Sequence, residues 1–149
     1  MLKYGIDLNL KDGELQSPLH ISIMNDLCAI NTSMINNEEY RFCYDIEGNS
    51  EYHKWVYNGC LTCLYTLLKK NLNYNVKNSK GNNPLHQAVI KNNKESLRLL
   101  LENCQFDLEE KGEFDYNLIQ LACVYSDLVI YFYYFFNILY YIIFNLFFC

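Results

Sequence analysis

Gly81-Asn82-Asn83-Pro84-Leu85-His86-Gln87-Ala88-Val89-Ile90-Lys91-Asn92-Asn93-Lys94-Glu95-Ser96-Leu97-Arg98-Leu99-Leu100-Leu101 is the stretch from which the rest of the chain is read. Gly81 suits the positive φ of a tight turn. Asn83 can accept a backbone N–H as N-cap, and Pro84 at the first helical position gives up only a donor that has no helical partner anyway. A short helix therefore begins at Asn83. Asn92 and Asn93 break its apolar pattern, and a second helix follows with Leu97, Leu100 and Leu101 on one face and Lys94, Glu95 and Arg98 on the other. The unit is turn, helix, turn, helix.

The same unit recurs at a fixed period. His20, His53 and His86 are equally spaced, and Gln120 holds the matching place one repeat further on, displaced by a single position. Each is preceded by a residue able to cap a helix: Ser17, Ser50, Asn83 and Asn117. A cap of this kind contributes about 1 kcal/mol, so four of them in register specify four helix starts.

At this period the chain resembles the ankyrin repeat, whose signature is Thr-Pro-Leu-His-x-Ala. Asn83-Pro84-Leu85-His86-Gln87-Ala88 matches in all but the Thr, and Ser17-Pro18-Leu19-His20 keeps Pro, Leu and His. Ser50 to Trp55 keeps the cap and His53, while Asn117 to Ala122 keeps the cap and the Ala. The run that leaves the second helix of such repeats for a protruding hairpin is matched by Gly5-Ile6-Asp7-Leu8-Asn9-Leu10-Lys11-Asp12, and more loosely by Leu67 to Asn75. The resemblance covers residues 1 to about 127. It implies an all-α solenoid of helix-turn-helix units joined by short hairpin loops, with the histidines hydrogen-bonding the turn backbone.

The expected division is a partial repeat over 1–12, repeats over 13–47, 48–80 and 81–114, and a degenerate last unit over 115–149. The first whole repeat carries two extra turn residues, Glu14-Leu15, and a second helix weakened by Asn31, Thr32, Ser33 and Asn36. In the next, Trp55 stands where the family has a small Ala, so the indole must push its neighbours apart or tip outward. Met1-Leu2 would begin the array half-way through a unit.

A chain of 149 residues without a Gly/Ser/Pro-rich linker reads as one domain in which each repeat packs on its neighbours. Its formal charge of −5 and its lack of Lys/Arg clusters beyond Lys69-Lys70 give nucleic acid no footprint. Seven cysteines without a secretory h-region point to a reducing compartment, hence a cytoplasmic location. The tail from Leu128 to Cys149 has no charge and is long enough to span a bilayer. Three readings of it stand open: a transmembrane helix anchoring the repeats to a membrane, an apolar helix packed back on the array, and untranslated A/T-rich sequence read as protein.

Catalysis has no motif to rest on. There is no Gly-x-Ser-x-Gly and no phosphate-cradling loop, and the pairs Glu38-Glu39 and Glu109-Glu110 read as solvated turns. Cys43, His53, Cys60 and Cys63 have a spacing loosely like a zinc site. The repeat frame assigns them otherwise, with Cys63 in the core, Cys60 after the Gly59 turn and His53 in the turn network, so neither metal nor cofactor is expected. What remains is a protein partner. The resemblance implies that hairpin tips and first helices carry the contacts, here Tyr44, Ile46, Glu47 and Asn49, then Lys77, Ser79, Lys80 and Asn82, with Met24, Tyr57, Ile90 and Lys91 on the helices.

Overall fold

The computed structural model describes residues 7–70 and 72–125, together with 136, 139, 140 and 143. Seven α-helices lie in the continuous part: α1 Pro18–Met24, α2 Cys28–Asn36, α3 Glu51–Asn58, α4 Leu61–Leu68, α5 Pro84–Ile90, α6 Lys94–Asn103 and α7 Leu118–Tyr125. They stack in two rows. α1, α3, α5 and α7 pack in succession, α2, α4 and α6 form a second row, and α1, α3 and α5 each pack on the helix that follows.

The helix starts obey the local chemistry. Ser17 and Asn83 cap α1 and α5 by accepting from the backbone N–H of His20 and His86, and both helices have Pro at the first position. In the last unit Asn117 accepts from Gln120 N at 3.0 Å while Gln120 Oε1 accepts from Asn117 N at 2.9 Å, closing the box with glutamine in the histidine's place. Gly59, at φ 77°, ends α3 in the left-handed conformation that its missing side chain permits.

The second helix of the first repeat forms in full despite its polar content. Asn31 is buried against Ser22 Oγ, and Thr32 and Ser33 bond back to the carbonyls of Cys28 and Ala29. Asn93, which interrupts the pattern after α5, caps α6 through Ser96 N and donates to Val56 O at 2.9 Å, tying one repeat to the previous one.

The core runs along the interface of the two rows through Leu19, Ile23, Ile35, Tyr52, Trp55, Leu64, Leu67, Leu85, Leu97, Leu100 and Leu118. Trp55 neither tips outward nor reaches solvent: it is fully buried, with the indole N–H lacking a partner among the described residues. The stack accommodates it as one more large core side chain. No helix among the described residues is long and apolar enough to cross a membrane. Met1-Leu2 and all but four residues of Leu128 to Cys149 lie outside the described residues, and with them the three readings of the tail.

Candidate functional site

The site is built from the hairpins between repeats. In each of the first three, one carboxylate or amide oxygen gathers the turn. Asp12 Oδ1 accepts from Glu14 N and Gln16 N, Asp45 Oδ1 from Glu47 N and Asn49 N, and Asn78 Oδ1 from Lys80 N and Asn82 N. Short Asp and Asn side chains hold turns in this way, and these three recur at the spacing of the histidines. Gly48 and Gly81 supply the positive φ that each of the last two turns needs.

Successive hairpins are then sewn together. Ile46 N donates to Glu14 O at 2.9 Å and Ser79 N to Glu47 O at 2.8 Å. Asn78 Nδ2 donates to Asn49 Oδ1 at 2.8 Å, and Asn82 Oδ1 accepts from Glu113 N at 2.8 Å.

Beneath two of the hairpins a histidine joins two repeats. His53 Nδ1 accepts from Ser50 N and its Nε2 donates to Asn82 O at 2.9 Å, while His86 Nε2 donates to Glu110 O at 2.9 Å. Burial holds the His53 imidazole neutral, lowering it to about 4 against the pull of the Asn82 carbonyl, and His20 is likewise lowered to about 4. His20 completes its own capping box, but its Nε2 has no hydrogen bond of ordinary geometry.

Between the hairpins and the first helices runs a groove of about 520 Å³. Its floor carries Met24, Tyr57 and Ile90, one from each of three successive first helices, and its wall carries Glu47, Asn49, Ser79 and Lys80. Lys91 lies over the Tyr57 ring at 3.9 Å, an arrangement favoured by the ring's negative face. Lys54 meets the buried Asp45 carboxylate at 2.7 Å. Burial would raise Asp45, but Lys54 and the Asn49 hydrogen bonds outweigh it and hold the carboxyl below its ordinary range.

The family model described as ankyrin repeats, in three copies, matches the chain over residues 25–112 and 52–134. The chain belongs to the ankyrin-repeat family. No curated protein matches it. Ankyrin repeats are in general protein-interaction modules and typically non-enzymatic.

Of the ankyrin tip and helix residues named from the sequence, Met24, Glu47, Asn49, Tyr57, Ser79, Lys80, Asn82, Ile90 and Lys91 line the groove. Asn82 is buried all the same, its side chain committed to Glu113 and its backbone to His53, so it builds the wall rather than offering a contact. Tyr44, Ile46 and Lys77 are not part of the lining. Tyr44 stacks edge-on against Phe42 at 5.5 Å, and Ile46 is 64% exposed at its tip. Lys77 is turned to the next hairpin, bonding Lys111 O at 2.9 Å and Glu110 at 3.1 Å.

The four-residue zinc constellation does not assemble. Cys43 lies with His20 and Glu51, whereas Cys60 and Cys63 lie with Cys28, because adjacent repeats bring together equivalent ends of their helices rather than neighbours in sequence. His53 belongs to neither group. Glu51 is a buried group that the sequence reading missed. It fills the first helical position that Pro18 and Pro84 occupy elsewhere, is fully buried, and accepts from Cys43 N at 3.3 Å. Burial pushes its carboxyl up to about 7. The missing proline was the one available signal.

Proposed function

We propose that this chain is a non-enzymatic binding module whose groove receives a segment of a partner protein. The observation that carries the reading is the alignment of Met24, Tyr57 and Ile90, equivalent positions of three successive repeats, on one groove floor with charged and amide groups along its wall. Met24 and Tyr57 are 60% and 58% exposed, so apolar area is available at the centre and polar groups at the edge, as interface patches are commonly composed. Seven cysteines support a cytoplasmic setting. Panning a random peptide library on the protein, with a Tyr57→Ala, Ile90→Asp variant used to remove background, tests the reading. Enriched peptides that bind the parent and not the variant support it. Peptides that bind both equally place recognition elsewhere.

A further inference from the structure

Three thiols that none of the roles above employs lie together between the first two repeats. Cys28 opens α2, Cys60 caps α4 and Cys63 stands near the start of α4, and their sulfurs are all within 4.8 Å of one another. Cys63 is fully buried, Cys28 and Cys60 are half-buried, and Cys63 Sγ approaches Cys28 O at 3.6 Å. With metal–sulfur bonds of about 2.3 Å, three sulfurs in a trigonal plane stand about 4.0 Å apart, so only a small inward movement separates this cluster from a ligand set.

We propose that Cys28, Cys60 and Cys63 form a three-thiolate site for one thiophilic d10 cation of the zinc(II) or copper(I) class, joining α2 of one repeat to α4 of the next. Thiolates are soft donors and select these ions over magnesium or calcium. Copper(I) is satisfied by three sulfurs. Zinc(II) takes a fourth ligand, for which the exposed Asp26, its Oδ1 3.6 Å from Cys28 Sγ, or a water is at hand. Each ligating thiol passes its proton to solvent as the metal–sulfur bond forms. The hydrogen bond with Cys60, then burial, pushes Cys28 up, while burial, then Cys60, pushes Cys63 up. A cation among them reverses the interaction that holds those protons.

The second cluster, His20, Cys43 and Glu51, is the weaker candidate. His20 Nδ1, the atom facing Cys43, already accepts from Ser17 N.

The test takes the full chain, reduced and metal-free, and titrates zinc(II) against a chromophoric chelator in one arm and copper(I) against a copper(I) chelator under argon in the other. Cadmium(II) serves as an optical probe of sulfur ligation through its thiolate charge-transfer band. One cation per chain in either arm is expected, with affinity reduced about tenfold or more by Cys28→Ser and by Cys60→Ser and unchanged by Cys104→Ser or Cys123→Ser. Circular dichroism checks that the half-buried Cys28 and Cys60 variants keep their helix content. The cation should raise the melting temperature of the parent and not that of Cys28→Ser. Failure of both arms to reach stoichiometry, uptake that survives Cys28→Ser, or uptake lost equally in the two controls overturns the site. A protein that closes a Cys60–Cys63 disulfide in air, yet binds neither cation when reduced, assigns the cluster to redox chemistry and overturns it too.

Discussion

His53 Nε2 donates to the carbonyl of Asn82 at 2.9 Å, so a residue that closes the start of one repeat also holds the hairpin leading to the next. His86 repeats the arrangement on Glu110. The two imidazole nitrogens face away from each other across a rigid ring, one toward the local cap and one toward the neighbouring unit.

Glutamine can serve the local half of that role, as Gln120 does on Asn117. An amide held by its oxygen does not reproduce the opposed geometry of the ring. His53→Gln should therefore lower stability by about 1–2 kcal/mol in urea denaturation, the worth of one buried hydrogen bond and the acceptor it leaves behind. His20→Gln should cost less, since His20 Nε2 meets the equivalent Asn49 carbonyl only outside ordinary hydrogen-bond geometry. Equal losses would remove the histidine as a link between repeats.

The buried histidines and Glu51 should act on the fold with opposite signs. His20 and His53 are lowered from 6.5 to about 4 by burial, so between those values the unfolded chain binds more protons and stability falls as pH drops. Glu51, raised by burial from 4.5 to about 7, makes the folded chain the tighter proton binder, so its contribution is lost as pH rises through 7. Two histidines outweigh one carboxyl, so stability climbs by up to about 1.4 kcal/mol per unit between pH 4.5 and 6.5 and levels off near 7, with the lowered His86 adding to the climb. Urea midpoints from pH 4 to 8 trace the curve, and Glu51→Gln, by removing the opposing carboxyl, should steepen the climb. A climb unchanged by Glu51→Gln would show that the carboxyl does not oppose it.

Gly112 is pinned by closeness rather than by backbone conformation. A methyl group there would meet Asn82 Oδ1 and, at 2.9 Å, the His86 ring, both of which already hold neighbouring hairpins. Gly112→Ala should cost about 1–3 kcal/mol, as overpacking does, whereas Gly13→Ala, with nothing within 4 Å of the added carbon, should stay within about 0.5 kcal/mol. Thermal melts of the two variants decide it. A silent Gly112→Ala would mean that the hairpin yields.

The two sides of the array should separate binding from stability. Replacing Met24 and Tyr57 by Ala, with Lys80→Glu, should abolish capture of a groove-selected peptide while the melting temperature holds, because exposed side chains contribute little to packing between repeats. Reversing Lys94 and Glu95 on α6 should leave capture intact. Loss with the α6 variant alone would move the recognition surface to the second helices.

Helix starts were legible in the sequence because a cap and its partner are near neighbours in the chain and need nothing from elsewhere: Ser17, Ser50, Asn83 and Asn117 all stand where local chemistry puts them. Much of the groove lining followed from the resemblance to ankyrin repeats, with the period carrying Met24 onto Tyr57 and Ile90. What depended on the approach of two repeats was not legible. Cys28 joins Cys60 and Cys63 from a different unit, Glu51 is buried by its surroundings rather than by its type, and Trp55 fits a core whose shape no single repeat determines. Lys77 lies outside the groove lining for a related reason, since its ammonium follows the acidic group of the next hairpin, Glu110.

The seam along the hairpin tips is made by Ile46 N on Glu14 O and Ser79 N on Glu47 O, bonds between main-chain atoms that any residue but proline can supply on the donor side. The side chains at those positions are thereby released from scaffold duty. Mutation can rewrite the tips one residue at a time, changing what the surface recognises, while the spacing between them stays as the backbone sets it. Specificity and architecture are thus inherited through different atoms of the same residues.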